Sequence, residues 1–103
     1  MSAVTITKEN FKDEVMNSSL PVLLDFWADW CVPCRIASPI VEEIADETAS
    51  VKVGKVNVDE QPELVEIFNI MAMPTVIVLK DGSVTSIVSG VRPKDTLLDL
   101  INA

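Results

Sequence analysis

The sequence contains no histidine and no tyrosine. Without imidazole there is no Ser-His-Asp arrangement, no His general base and no His-ligated metal. Cysteine is scarce, with two residues, Cys31 and Cys34. A disulfide-stapled secreted domain normally carries more, at wider spacing. Positive charge is also short: 8 Lys and Arg stand against 16 Asp and Glu, a net −8. Phosphates need cations, so nucleic acid and anionic membrane are poor partners for this chain. No apolar run approaches the roughly 18 residues of a membrane span. No repeat, Gly/Ser stretch or charge run marks a linker. Residues 1–11 hold no basic segment followed by an apolar core, so no secretory signal is expected and the expected location is the cytoplasm.

What is present fits one small globular domain spanning 1–103. The 103 residues are 49% apolar and 23% charged, which suits a packed core. Strand and helix patterns alternate. Ala3 to Thr5 is a short strand, and Thr7 is an N-cap for a helix to about Ser18 that sets Phe11 and Val15 on one face. Val22 to Trp27 is apolar on both alternating faces, as in a buried central strand. Cys31 to about Thr48 is a helix. Its apolar stripe is Ile36, Ile40 and Ile44 beside Ala37, Val41 and Ala45, and Pro39 predicts a kink. Val51, Val53, Val56 and Val58 mark a third strand. Pro62 opens a short helix through Phe68. Thr75 to Leu79 and Val84 to Val88 flank Asp81-Gly82, a type I′ hairpin signal. Pro93 begins a last helix with Leu97, Leu98 and Ile101. The order β-α-β-α-β-α-β-β-α predicts an α/β fold: a mixed sheet covered by helices, with an antiparallel hairpin at one edge and parallel strands on either side of the long helix.

The two cysteines stand as Cys31-Val32-Pro33-Cys34, three residues beyond a buried strand and at the start of a helix. A helix N-terminus presents unpaired N–H groups and the positive end of a dipole, both of which favour thiolate. Cys31, nearest that end, is the better thiolate, and Cys34, one turn in, is placed to be shielded and to attack second. Three plainer readings compete with a redox dithiol. Half of a zinc site lacks the other two ligands within the chain. A structural staple closing about four residues gains only about 2 kcal/mol. Two ordinary buried thiols are the third.

The segment Asp25-Phe26-Trp27-Ala28-Asp29-Trp30-Cys31-Val32-Pro33-Cys34-Arg35 resembles the active-site signature of the thioredoxin family. The likeness extends over nearly the whole chain. Lys55-Val56-Asn57-Val58-Asp59 resembles that family's middle strand and Met73-Pro74-Thr75 its proline loop. Lys80-Asp81-Gly82 resembles its hairpin, and Ser89-Gly90-Val91 its glycine loop. The resemblance implies a thioredoxin fold, with a five-stranded mixed sheet flanked by four helices. It also implies a protein-disulfide oxidoreductase, a general reductase working by thiol–disulfide exchange and recycled by a thioredoxin reductase. No G-x-G-x-x-G fingerprint is present, so electrons from NADPH must arrive through that partner. No bound cofactor or metal is required, because the dithiol is the redox group, and a monomer is expected. Two departures stand out. The family usually has Gly where this chain has the stiff, branched Val32, and Met73 stands where Ile or Val is common.

Further roles follow from the same resemblance. Asp25, a lone carboxylate in an apolar strand, has its proton affinity raised by burial and matches the proton acceptor for the second cysteine. Lys55 matches a lysine near that Asp, although its strand position alone reads as solvent-facing. Pro74 matches a cis-proline, an isomer found in only about 5–6% of X–Pro bonds. Trp30, Val32, Pro33, Met73, Pro74 and Gly90 form the implied recognition surface. There the Met73 backbone pairs with an extended substrate, and Gly90 allows close approach. Core packing is the plain alternative for Trp30 and the expectation for Trp27. Arg35 either supports a thiolate by its charge or is simply solvated. Glu42-Glu43, Asp46-Glu47 and Asp59-Glu60 read as solvated faces. Alternatives in function are a glutathione-linked or disulfide-forming relative and a binding module without turnover. The missing Tyr, the missing signal and the intact dithiol weigh against them.

Overall fold

The computed structural model describes residues 3–103. Its five strands are β1 (Val4–Thr5), β2 (Val22–Trp27), β3 (Lys52–Asn57), β4 (Thr75–Lys80) and β5 (Ser83–Ser89). They form one mixed sheet in the order β1-β3-β2-β4-β5. β2 is central because both of its faces are apolar: Val22 to Phe26 are all buried. It runs parallel to β3, as the alternation of elements predicts, and antiparallel to β4, a pairing that the alternation does not predict. The helices are a π-helical segment (Lys12–Met16), α1 (Val32–Glu47), α2 (Pro62–Phe68) and α3 (Lys94–Asn102).

The two faces of β2 feed two cores. Leu23 packs with Val41, Ile44, Val76, Leu97 and Ile101 under α1 and α3. Val22, Leu24 and Phe26 pack on the other face with Ile6, Val15, Val56, Leu64 and Ile77. Strand alternation therefore places Asp25 on the α1 face with Leu23. The hairpin forms as its sequence predicts: Asp81 and Gly82 have φ of 52° and 77°, the two positive values a type I′ turn needs.

Two expectations are corrected. The helix predicted from Thr7 to about Ser18 is shorter and wider. Thr7 and Asn10 do exchange capping bonds, at 2.8 and 3.3 Å. The Lys12 carbonyl then accepts from Asn17 N–H at 2.9 Å, five residues on. Lys52 Nζ donates to the Glu14 carbonyl at 3.0 Å, the carbonyl that a further α-helical turn would use. The second correction concerns Ile36, which is 59% exposed and lies outside the buried stripe of α1. Pro39 is exposed, and the helix runs through it to Glu47.

Gly54 in β3 is closely flanked by side chains from the neighbouring β1 and β2 segments. A Cβ there would sit 2.6 Å from Ile6 Cγ1 and 2.9 Å from Leu24 Cδ2. Gly54→Ala is therefore expected to destabilise the protein by about 1–3 kcal/mol, the usual cost of overpacking. Urea denaturation would show this as a lower midpoint with an unchanged slope. An unchanged midpoint would mean that the two side chains move aside freely.

Candidate active site

β2 delivers the chain to the site. Beyond Trp27, Ala28 is buried, and its carbonyl accepts from Cys31 N–H at 3.2 Å. That turn places Cys31 at the N-cap of α1, where its Sγ accepts from Cys34 N–H at 3.2 Å. Cys31 and Cys34 are joined as a disulfide, with their Cα atoms 5.3 Å apart. In this oxidised form the expected difference in shielding is absent, since the residues are 5% and 4% exposed. What separates the two sulfurs is position: Cys31 Sγ receives a helix N-terminal N–H, the environment that stabilises a thiolate.

The proline and glycine loops close on the dithiol. Met73 packs against the cluster of Ala28, Cys31 and Cys34. The Met73–Pro74 peptide bond is cis, the isomer the resemblance implied. Pro74 is buried, and its carbonyl accepts from Gly90 N–H at 2.8 Å, which ties the glycine loop to the proline loop. Gly90 has φ of 87° and open space on its Cβ side. Trp30 and Val32 are each 63% exposed, and Pro33 is exposed too. Core packing is thus wrong for Trp30. Its indole N–H instead donates to Asp59 Oδ2 at 2.9 Å, so Asp59 is no mere solvated charge. Arg35 points to the backbone, donating from Nη2 to the Asp29 carbonyl at 2.9 Å.

Asp25 is buried, at 1% exposure, two residues before Trp27 on the α1 face of β2. No described protein group hydrogen-bonds either carboxylate oxygen. Burial pushes its pKa up to about 6; the Lys55 charge pulls it down and Glu42 adds to the rise. Lys55 is Asp25's partner across β2 and β3. The solvent-facing reading of Lys55 does not hold. Its ammonium donates to Ser38 Oγ at 2.7 Å, lies 3.8 Å from Glu42 Oε2 and stands 5.4 Å from the centre of the Trp27 ring. A cavity of about 220 Å³ opens beside Cys34, with Ser38, Lys55 and Trp27 in its walls.

Sequence reading passed over Ser38 and took Glu42 for part of a solvated face, whereas it accepts from the Ala3 N–H and lies near Lys55 Nζ. The available signal is their spacing: Cys34, Ser38 and Glu42 recur every fourth residue on one side of α1. Among the described residues, no group of three or more Cys, Asp or Glu is gathered to hold a metal. Among the described residues, no helix is long and apolar enough to cross a membrane.

Comparison with known proteins agrees with this geometry. The thioredoxin family profile matches residues 2–103. A thioredoxin from Pyropia yezoensis is 46% identical over 103 residues, covering 99% of this chain and 96% of that protein. Thioredoxin 1 from Synechococcus elongatus is 46% identical over 101 residues, covering 97% and 94% of the two chains. In structure, a point-mutant thioredoxin from Halobacterium salinarum NRC-1 superposes with a TM-score of 0.90 at 32% identity, covering 98% of this chain and 88% of that one. A cysteine pair joined as a disulfide at a helix N-terminus, in a chain with this fold and these relatives, places the protein in the thioredoxin family of protein-disulfide oxidoreductases.

Proposed function

We propose that this protein is a cytoplasmic, monomeric reductase of protein disulfides, recycled by a thioredoxin reductase that draws on NADPH. The observation that carries the reading is the placement of Cys31 Sγ against the Cys34 N–H at the head of α1, with the Asp25 carboxyl buried in the strand that leads to the pair.

The reaction moves two electrons. The Cys31 thiolate attacks one sulfur of a substrate disulfide; a Cys31–substrate disulfide forms and the other substrate sulfur leaves as thiolate. Cys34 gives its proton to Asp25, directly or through water, and its thiolate attacks Cys31 Sγ. The Cys31–Cys34 disulfide forms, and the second substrate sulfur leaves reduced. Asp25 suits this role because a carboxylate with pKa near 6 is ionised at neutral pH yet still a useful base. Trp30, Val32, Pro33, Met73, Pro74 and Gly90 form the docking surface, where an extended substrate segment lies along the Met73 backbone. Lys55 supports Asp25.

The direct test is reduction of insulin disulfides with two electron supplies. NADPH with thioredoxin reductase is expected to sustain turnover. Glutathione with its reductase is expected to run at least about tenfold slower, a difference of about 1.4 kcal/mol in barrier. Faster turnover with glutathione would make the protein a glutathione-linked enzyme. No turnover with either, despite a redox-active dithiol, would make it a binding module.

A further inference from the structure

Lys55 and Asp25 occupy paired positions on neighbouring parallel strands, and Lys55 lines the cavity beside Cys34. Opposite charges so placed ordinarily pair. Here they do not. The Lys55 ammonium is drawn to α1 instead, onto Ser38 Oγ at 2.7 Å and toward Glu42 Oε2 at 3.8 Å. Glu42 is itself tied down, because its Oε1 accepts from the Ala3 backbone N–H at 3.4 Å. Both oxygens of Asp25 are left without a hydrogen-bond partner among the described residues.

We propose that Ser38 is a positioning residue of this site: its hydroxyl holds the Lys55 ammonium on the helix side of the cavity and so keeps Asp25 from being locked into an ion pair. The proposal rests on the reading of Asp25 as proton acceptor for Cys34. Lysine carries a compact charge on a flexible stem, so one hydrogen bond decides where that charge sits. Without the hydroxyl, two anions compete for it. Glu42 has a side chain 42% exposed, and solvent screens its pull. Asp25 is buried, where attraction between charges is strongest. The ammonium then swings to Asp25, holds its carboxyl ionised to lower pH and makes it a weaker base. The charged groups that act on Asp25 are Lys55 from β3 and Glu42 from α1, and the proposed proton donor after reduction is Cys34. From β4 its register partner is the uncharged Val76.

The test is a carbon-13 NMR titration of the Asp25 carboxyl in the disulfide form. Ser38→Ala is expected to lower the midpoint by about one pH unit, the scale of a cation brought within a few ångströms. Ser38→Thr keeps the hydroxyl and should leave the midpoint in place. Lys55→Met should raise it, and adding Ser38→Ala to Lys55→Met should shift it no further. An unmoved or raised midpoint in Ser38→Ala would overturn the proposal, as would an equal drop with Lys55 already removed. The pH profile of the Cys34 step in the same variants separates the two claims. A midpoint that moves while that profile stays fixed supports the role of Ser38 and removes Asp25 from proton transfer.

Discussion

Asp25→Ala should be more stable than the wild type at pH 7 by about 2–3 kcal/mol. In the folded disulfide form, burial pushes the Asp25 pKa up to about 6 from an ordinary 3.8. Each unit of that gap corresponds to about 1.4 kcal/mol, so the ionised carboxylate destabilises the native state by about 3 kcal/mol. The smaller side chain forfeits some packing, which trims the gain. The pH dependence has a definite sign. Between pH 6 and 3.8 the folded protein binds a proton that the unfolded chain does not, so wild-type stability rises as pH falls through that window. The advantage of Asp25→Ala is therefore full above pH 7 and nearly gone at pH 4. Urea denaturation of both proteins at these two pH values measures it directly. Equal stability at pH 7 would mean that the carboxylate is compensated in the folded state. A buried carboxylate that weakens the fold, as the expected gain in Asp25→Ala would show, and that stands in the strand leading to a dithiol is better explained by chemistry than by structure.

The second large effect divides the two cysteines. Cys31→Ser should lose turnover entirely, because a serine hydroxyl at the N-cap does not attack a disulfide. Cys34→Ser should keep the first step and lose the second. Mixed with a disulfide substrate, it should release one equivalent of thiol per protein and then stop, while the wild type supplied with reductant continues. Cys31 is the expected nucleophile because its sulfur accepts the Cys34 N–H at 3.2 Å at the head of α1, a helix of 16 residues. Stopped-flow detection of released thiol resolves the two behaviours. Continuous turnover by Cys34→Ser would overturn the order of attack.

Much of this fold is legible in the sequence, because local pattern and tertiary outcome agree. The doubly apolar run of β2 announces a central strand, and Asp81-Gly82 announces its turn. Asp25 is conspicuous because a carboxylate interrupts that apolar run on the face it shares with Leu23. The cysteine pair is legible as a redox site because its spacing and its position at a strand-to-helix junction point to the same chemistry. The unread features depend on partners far along the chain. The π-helical turn ends where Lys52, 38 residues from Glu14, takes a carbonyl. The Trp30 indole lies over Asp59, 29 residues away. Lys55 reads as solvent-facing from its strand alone and is claimed by Ser38 across 17 residues. The cis bond before Pro74 leaves no mark on local propensity, and only the resemblance pointed to it.

The central claim is that Cys31 attacks and Cys34 resolves. Mass spectrometry of Cys31→Ser and Cys34→Ser, each reduced and mixed briefly with the same disulfide peptide, tests it most directly. A covalent peptide adduct on Cys34→Ser with none on Cys31→Ser is the predicted result. An adduct on Cys31→Ser, formed as fast as or faster than on Cys34→Ser, would contradict it.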